Sequence, residues 1–398
     1  MTEVAACRVE ELRLYCFRNY ADETVALGPG LNVVSGPNAQ GKTNLLEAIA
    51  TAALTRSPRA SSSAELLLWG ADAALVTARV RRPDGPATIE LRLQRPPGGQ
   101  GAVVRTITVD GSPRPARAVL GVCPVVLFWP EDLLLVKGAP EGRRRLLDVL
   151  IAQTDPRAAA EMVRYRRVLD QRNALLRQVR LGQASPAPLP GFTHELTRSA
   201  GTVLTARLRL VDALAPLAAA ALGEISDGRE EVGLRYRAEG LDGPLPVTPD
   251  EAAARLAEAL DGRRAEELAR GVTVAGPHRD DVDVLLDGRP ARAAASQGQQ
   301  RSLVLACKLA EVRHLTALLG IAPVLLLDDV LSELDARRRE RLLAALGAGT
   351  HLQTVLTTTD PDGLALRSDL VRHLGVSAGH VGEAGAAPPA VAGGGSAA

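Results

Sequence analysis

Gly36-Pro37-Asn38-Ala39-Gln40-Gly41-Lys42-Thr43 is the stretch on which the fold of this chain turns. Its glycines let backbone N–H groups converge on phosphate oxygens with no Cβ in the way. Lys42 offers a point charge to β- and γ-phosphates, and Thr43 a hydroxyl to Mg2+. Leu31-Asn32-Val33-Val34-Ser35, just upstream, is a short apolar strand. Downstream, from Asn44 to Thr55, Leu45, Leu46, Ile49 and Leu54 recur at helical spacing. That order seats an anion on a helix N-terminus, where orphan amides and the dipole favour negative charge. A chance glycine-rich turn lacks both flanks. The segment predicts ATP with Mg2+ as the bound pair.

Far downstream, Val324-Leu325-Leu326-Leu327 is an uninterrupted apolar run between Pro323 and Asp328, the pattern of a strand buried on both faces. A carboxylate at its end suits Mg2+, so Asp328 joins Thr43 as a candidate metal-associated residue. Asp329 stands where a base or water-positioning group is needed. The plainer reading is that both aspartates cap the following Leu331-Ser332-Glu333-Leu334-Asp335. Between the two halves, Ser296-Gln297-Gly298-Gln299-Gln300 opens a helical pattern running from Gln297 to Leu319, with Gly320 as the stop. Ser296 and Gln299 fit a capping box. Flanked by two nucleotide motifs, the segment also looks like the signature of ATP-binding-cassette ATPases. On that reading Ser296, Gly298 and Gln299 contact a γ-phosphate held by a second copy.

Composition sets bounds. A chain of 398 residues can bury one large core and a second lobe. Its net charge of +1 announces no global basic field for nucleic acid, and 2% aromatic content argues against base-stacking platforms. Arginine is abundant, while lysine occurs only at 42, 137 and 308. Cys7, Cys16, Cys123 and Cys307 form no CxxC pair or metal-ligand spacing, which reads as reduced structural thiols. Glu3, Arg8, Glu10 and Glu11 argue against a secretory signal, and no apolar stretch reaches membrane-spanning length. The expected location is the cytoplasm.

Residues 1–137 read as strand-rich, with candidates at 9–14, 75–81, 88–93 and 103–109. From 138 to 270 the pattern turns helical, at 141–153, 157–180, 193–223 and 250–269, with Leu181 to Gly191 as a proline-bearing loop. Residues 271–377 complete the ATPase lobe, and 378–398 form a Gly/Ala/Pro/Ser-rich tail expected to be disordered. The fold class is therefore α/β: a P-loop ATPase head with a mixed sheet, an antiparallel subdomain and an inserted helical arm. Arg143, Arg144, Arg164 and Arg167 on the arm are candidate DNA-phosphate contacts, since 164, 167 and 171 or 172 can share a helix face. In an arginine-rich chain such a run is more often a solvated face, here paired with Glu141, Glu161 and Asp170.

Taken together the motifs resemble the RecF family of recombinational-repair ATPases, over nearly the whole chain except the tail. The resemblance lies in Leu14-Tyr15-Cys16-Phe17-Arg18-Asn19-Tyr20, the phosphate loop continuing to Ala48, Phe128-Trp129-Pro130-Glu131-Asp132-Leu133 and Val136-Lys137-Gly138-Ala139-Pro140. It continues through Arg143-Arg144 ahead of Leu147-Asp148, Tyr165 to Asn173, Gly276 to Asp281, Ser296 to Arg301 and Leu327 to Asp335. It implies an ATP-dependent homodimer that binds gapped, junction or single-stranded DNA. It also implies RecR and RecO as partners, RecA loading and support of the SOS response. Arg18 and Asn19 would line the nucleotide, and Gly276 to Asp281 would lie near the active face. Asp329 replaces the cassette glutamate and implies slow hydrolysis. No glutamine loop is evident, and Thr357-Thr358-Thr359 follow a strand where relatives carry a switch histidine. His351 reads as an ordinary loop residue. A nucleotide-gated scaffold without useful turnover, or another SMC- or ABC-type ATPase head, stands as the alternative.

Overall fold

A computed structural model describes residues 5–98, 101–330, 339–341, 352–360 and 371–383. The Leu331 to Asp335 segment, His351 and the tail from 384 lie outside them. The chain divides into two compact units, Met1–Pro130 with Ile321–Ala398, and Glu131–Gly320.

The first unit holds two six-stranded sheets. One orders the strands His380–Glu383, Val371–Ser377, Leu31–Ser35, Thr354–Thr358, Val324–Asp328 and Val125–Phe128; all pairs are parallel except the first. Its inner strands read Val-Leu-Leu-Leu-Asp and Thr-Val-Leu-Thr-Thr and are buried throughout, as a sheet covered on both faces requires. The other sheet is antiparallel, with Arg8–Phe17, Ala73–Arg82 and Gly85–Gln94 at its centre. Alternation along Val9 to Leu14 is only partial because a bulge between Val9 and Glu11 inserts one residue. Outward residues pair as Arg81–Glu10, Arg79–Glu11 and Arg13–Asp22, exposed ion pairs of small net value. Buried Gln353 ties the unit together: it accepts from Val9 N at 2.7 Å and donates to the Val9 and Gly28 carbonyls at 2.9 and 2.7 Å.

The second unit is mainly helical: Pro140–Thr154, Pro156–Arg180, Leu189–Ser226, Pro249–Gly262, Arg264–Arg270 and Gln297–Leu319. The expected loop up to Gly191 is shorter than read, because Pro190 sits in the first turn, where its missing N–H costs nothing. The arm also carries a strand, Val232–Arg237, antiparallel to Asp281–Leu286. Residues 271–320, grouped with the ATPase lobe on sequence grounds, fall in this unit, since helix Gln297–Leu319 packs along Leu189–Ser226. The tail is not irregular from 378: His380–Glu383 pairs with Val371–Ser377.

Buried arginines organise this unit. Arg172 is bidentate to Glu267 at 2.7 and 2.6 Å and donates to Thr273 Oγ1 at 2.8 Å. Arg207 holds Asp148 at 2.8 and 3.0 Å and the Pro277 carbonyl at 2.7 Å. Tyr236 donates to Asp280 at 2.7 Å. Tyr165 Oη lies 2.6 Å from His278 Nδ1, and His278 Nε2 lies 3.2 Å from the Thr273 carbonyl, which assigns the proton to Nε2. Gly276 to Asp281 is therefore a hub of internal hydrogen bonds.

Burial pushes His278 down to about 4, reinforced by Arg279, Arg144 and Arg172 and opposed by its bond to Thr273. The folded value lies below the ordinary 6.5, so the unfolded chain binds the extra proton between the two. Stability should fall as pH drops from about 6.5 toward 4. Urea midpoints at pH 7 and pH 5 should show His278→Gln losing about 2 kcal/mol less than wild type over that interval. Equal losses would contradict a buried neutral imidazole.

Candidate nucleotide site

Strand register builds the site. Asp328 pairs with Thr357, Thr357 with Val34, and Thr358 with Ser35, so three parallel strands end along one edge. Ligands of open α/β sheets bind outside such carboxyl ends. The phosphate loop leaves Ser35 there, and helix Lys42–Leu54 begins at its far side. Gly36 and Gly41 have φ of 152° and 121°, and Ala39 is left-handed at 63°. Lys42 Nζ donates to the Gly36 and Pro37 carbonyls at 2.7 and 2.8 Å. Burial lowers the pKa of this ammonium, while Asp329 and Asp328 push it back up.

Thr43 Oγ1 lies 3.0 and 2.9 Å from the two carboxylate oxygens of Asp328, so motifs separated by 285 positions meet in one hydrogen-bonded pair. Thr357 Oγ1 donates to Asp328 Oδ1 at 2.7 Å and accepts from Asp329 N at 2.9 Å. Burial raises the Asp328 pKa against the hydroxyls of Thr357 and Thr43 and the nearby Arg59. Asp329 is left-handed at φ 51°, a conformation costing about 1 kcal/mol outside glycine. Thr357 and Thr358 close their strand rather than following it.

The residues fit a triphosphate with its cation. Among the described residues no protein acceptor takes the N–H of Asn38, Ala39 or Gly41, leaving orphan donors for an anion. Thr43 and Asp328 present hard oxygen donors suited to Mg2+. A Cβ at Gly41 would lie 2.7 Å from Asn19 Nδ2, so the loop is braced tightly from behind.

Other expected contacts sort differently. Asn19 stands behind the loop, donating to the Gln40 carbonyl at 2.9 Å and accepting from Asn44 at 2.8 Å. Arg18 is occupied elsewhere, bidentate to fully buried Glu47 at 2.9 and 2.8 Å and donating to the Glu65 carbonyl at 2.8 Å. Ser296, Gly298 and Gln299 belong to the second unit, where the capping box forms: Gln299 N donates to Ser296 Oγ at 3.3 Å, and Ser296 N to Gln299 Oε1 at 2.9 Å. The cap and an exposed Ser296 coexist. Arg143 is engaged internally, bidentate to Asp281 at 2.7 and 3.0 Å and donating to the Leu135 and Gly138 carbonyls. Arg144 donates to the Asp280 carbonyl at 2.8 Å, and Arg172 is buried, which removes it from any outward stripe. Arg164 is partly exposed, 3.7 Å from Glu195, and Arg167 is exposed.

Sequence reasoning noted Thr357 only as standing at the switch-histidine position, and gave Tyr20, Glu47 and Arg59 no role of their own. Tyr20 donates to the Gly41 carbonyl at 2.9 Å, and the Arg59 guanidinium lies 5.7 Å from the Trp129 ring centroid. Only Thr357 left a usable signal, a hydroxyl at the end of a buried strand adjoining the carboxylate strand.

Residues 8–379 match the family model described as the RecF/RecN/SMC N terminal domain. A protein named DNA replication and repair protein RecF from Chloroflexus aurantiacus is 42% identical over 369 residues, covering 88% of this chain and 93% of its own length. Its namesake from Symbiobacterium thermophilum is 39% identical over 358 residues, covering 89% and 92%. The solved "Structure of the recombination mediator protein RecF-ATPrS in RecFOR pathway" has a TM-score of 0.86 at 28% identity, covering 96% of this chain and 100% of that one. An Smc head domain from Pyrococcus furiosus, with a TM-score of 0.55 at 17% identity and covering 94% of this chain and 95% of that one, shares the fold. The fold is that of an ABC-type ATPase head.

Removing Arg18 should strand the Glu47 carboxylate, whose remaining hydrogen bond among the described residues is from the Ser57 hydroxyl at 2.5 Å. Arg18→Met is expected to destabilise the chain by about 2–3 kcal/mol in urea unfolding, as broken buried pairs do. Unchanged stability with weakened nucleotide binding would return Arg18 to the ligand.

Proposed function

The chain belongs to the RecF family, and we propose from that premise that it is an ATP-gated DNA-binding protein of recombinational repair and replication-fork maintenance. The observation that carries the reading is the Thr43–Asp328 pair, which joins the phosphate loop to the carboxylate strand at 2.9 Å. Orphan amides from Asn38 to Gly41 and the Lys42 ammonium would hold the β- and γ-phosphates of ATP. Thr43 and Asp328 would hold Mg2+, whose charge offsets that developing on the phosphates. Asp329, fixed through Thr357, would orient the attacking water.

Two copies would complete the site. Ser296, the Gly298 backbone and Gln299 of one copy would face the triphosphate on Lys42 of the other, and twofold symmetry makes two such sites. ATP then favours the homodimer by its differential affinity for the closed pair. Closure would engage DNA at gaps, junctions or single-stranded ends, with Arg164 and Arg167 as the remaining arm candidates, and binding would weaken with salt. Family membership extends the proposal to RecR and RecO as partners, RecA loading, the SOS response and a cytoplasmic setting.

One observation favours a second reading, a nucleotide-gated scaffold. Asp329 is a methylene shorter than glutamate and sits on left-handed backbone, which limits its reach and points to slow hydrolysis. Single-turnover hydrolysis with and without gapped duplex separates the two: a DNA-stimulated rate favours the ATPase, none favours the scaffold.

The expected outcome in analytical ultracentrifugation is an ATP-dependent shift of wild type to dimer, absent in Lys42→Met. Gapped-duplex anisotropy should follow the same dependence. Full ATP-induced dimerisation of Lys42→Met would sink the composite-site scheme.

A further inference from the structure

The phosphate loop needs external restraint, because Ala39 holds φ 63° and Gly41 holds 121°. Lys42 supplies part of it through the Gly36 and Pro37 carbonyls. An ammonium has only three donors, so turning them to phosphate oxygens gives up that part. Tyr20 supplies another restraint through the Gly41 carbonyl, and three more converge on Gln40. Its carbonyl accepts from Asn19 Nδ2 at 2.9 Å and from the Gly379 N–H at 3.1 Å. Its side-chain Oε1 accepts from the Ala378 N–H at 2.6 Å.

Ala378 and Gly379 form the turn of the Val371–Ser377 and His380–Glu383 hairpin, with φ of 47° and 78°. Two left-handed residues in succession are what a two-residue hairpin turn demands. The hairpin also lies tight against the loop and against Asn19 behind it. A Cβ on Gly36 would lie 2.3 Å from the Val376 carbonyl oxygen, and one on Gly379 would lie 2.4 Å from the Asn19 carbonyl oxygen. Glu23 holds its outer strand, 3.2 Å from His380 Nδ1 and accepting from Val381 N at 3.1 Å.

We propose that the hairpin of residues 371–383 is a positioning element for nucleotide binding, latched through Gln40, so that hairpin docking and phosphate-loop occupancy reinforce each other. Gln40 is on this account a positioning residue whose side chain faces the hairpin turn rather than the ligand. The proposal rests on the phosphate-loop reading above. Linkage makes the effect reciprocal: a docked hairpin tightens nucleotide, and nucleotide tightens the hairpin.

The test uses the full chain and ADP. Calorimetric titration, run well below the unfolding temperature, should show Gln40→Leu raising the ADP Kd about tenfold, a coupling of about 1.4 kcal/mol. Glu23→Ala, which touches the hairpin and not the loop, should raise it about threefold, within the usual range of such couplings. In hydrogen exchange, ADP should protect residues 371–383 of wild type, and Gln40→Leu should abolish that protection. A residue with a purely structural role would lower thermal stability without altering the Kd or the nucleotide dependence of exchange. Wild-type affinity in both variants, or hairpin exchange indifferent to ADP in wild type, overturns the proposal. Wild-type ADP binding by Lys42→Met overturns the phosphate-loop reading instead, and the hairpin proposal falls with it.

Discussion

The first unit depends on a single requirement: hydroxyls and a carboxylate must meet at the ends of parallel strands. Asp328 is buried, and an isolated buried carboxylate is too costly to keep charged without partners. Thr43 and Thr357 supply those partners at 2.9 and 2.7 Å. Both bonds hold only while Leu31–Ser35, Thr354–Thr358 and Val324–Asp328 keep their register, since a one-residue slip would turn every side chain to the opposite face. The apolar runs fix the register, the register sets the hydroxyls, and the hydroxyls hold the carboxylate beside the phosphate loop.

The second unit uses charge differently. Its arginines at 143, 172 and 207 lie inside, each bidentate to a carboxylate and each also donating to a carbonyl or hydroxyl. Buried pairs of this kind add little net stability beside an apolar replacement, yet lose much when one member is removed. Their effect here is to fix which helix meets which: Pro156–Arg180 to Arg264–Arg270 through Arg172, and Pro140–Thr154 to Leu189–Ser226 through Arg207. An arginine-rich sequence suggests a basic exterior. Three members of that content, Arg143, Arg172 and Arg207, serve as internal framework instead, while Arg164 and Arg167 stay more open.

The phosphate loop, its strand and helix, the carboxylate strand and the capped Gln297–Leu319 helix were all legible in the sequence. Each rests on local signals: glycine placement, apolar runs, a Ser-x-x-Gln box. What stayed hidden depends on distant pairing. Glu47 reads as an ordinary polar residue in a helix, and only the fold shows Arg18 reaching it across 29 positions. Arg143 reads as part of a basic triplet until Asp281 arrives 138 residues later. The proline-rich stretch before 191 reads as loop because first-turn prolines look like helix breakers until the helix start is known. His380–Glu383 carries no strong strand signal of its own and becomes a strand by pairing with its neighbour.

The same logic bears on how tightly the loop can hold a ligand. Lys42 makes two hydrogen bonds to neutral carbonyls, at 2.7 and 2.8 Å. A phosphate competes with both for the three ammonium donors, so each exchanged bond gains only the difference between an anionic and a neutral acceptor for a donor that is charged in either case. Burial, which weakens the hold of Lys42 on its proton, adds to the advantage of a dianionic partner over a carbonyl. Asp328 and Asp329 oppose it, since two carboxylates beside a triphosphate repel it unless a cation intervenes. Binding of ATP should therefore be strongly coupled to its divalent ion, more than the lysine alone would require.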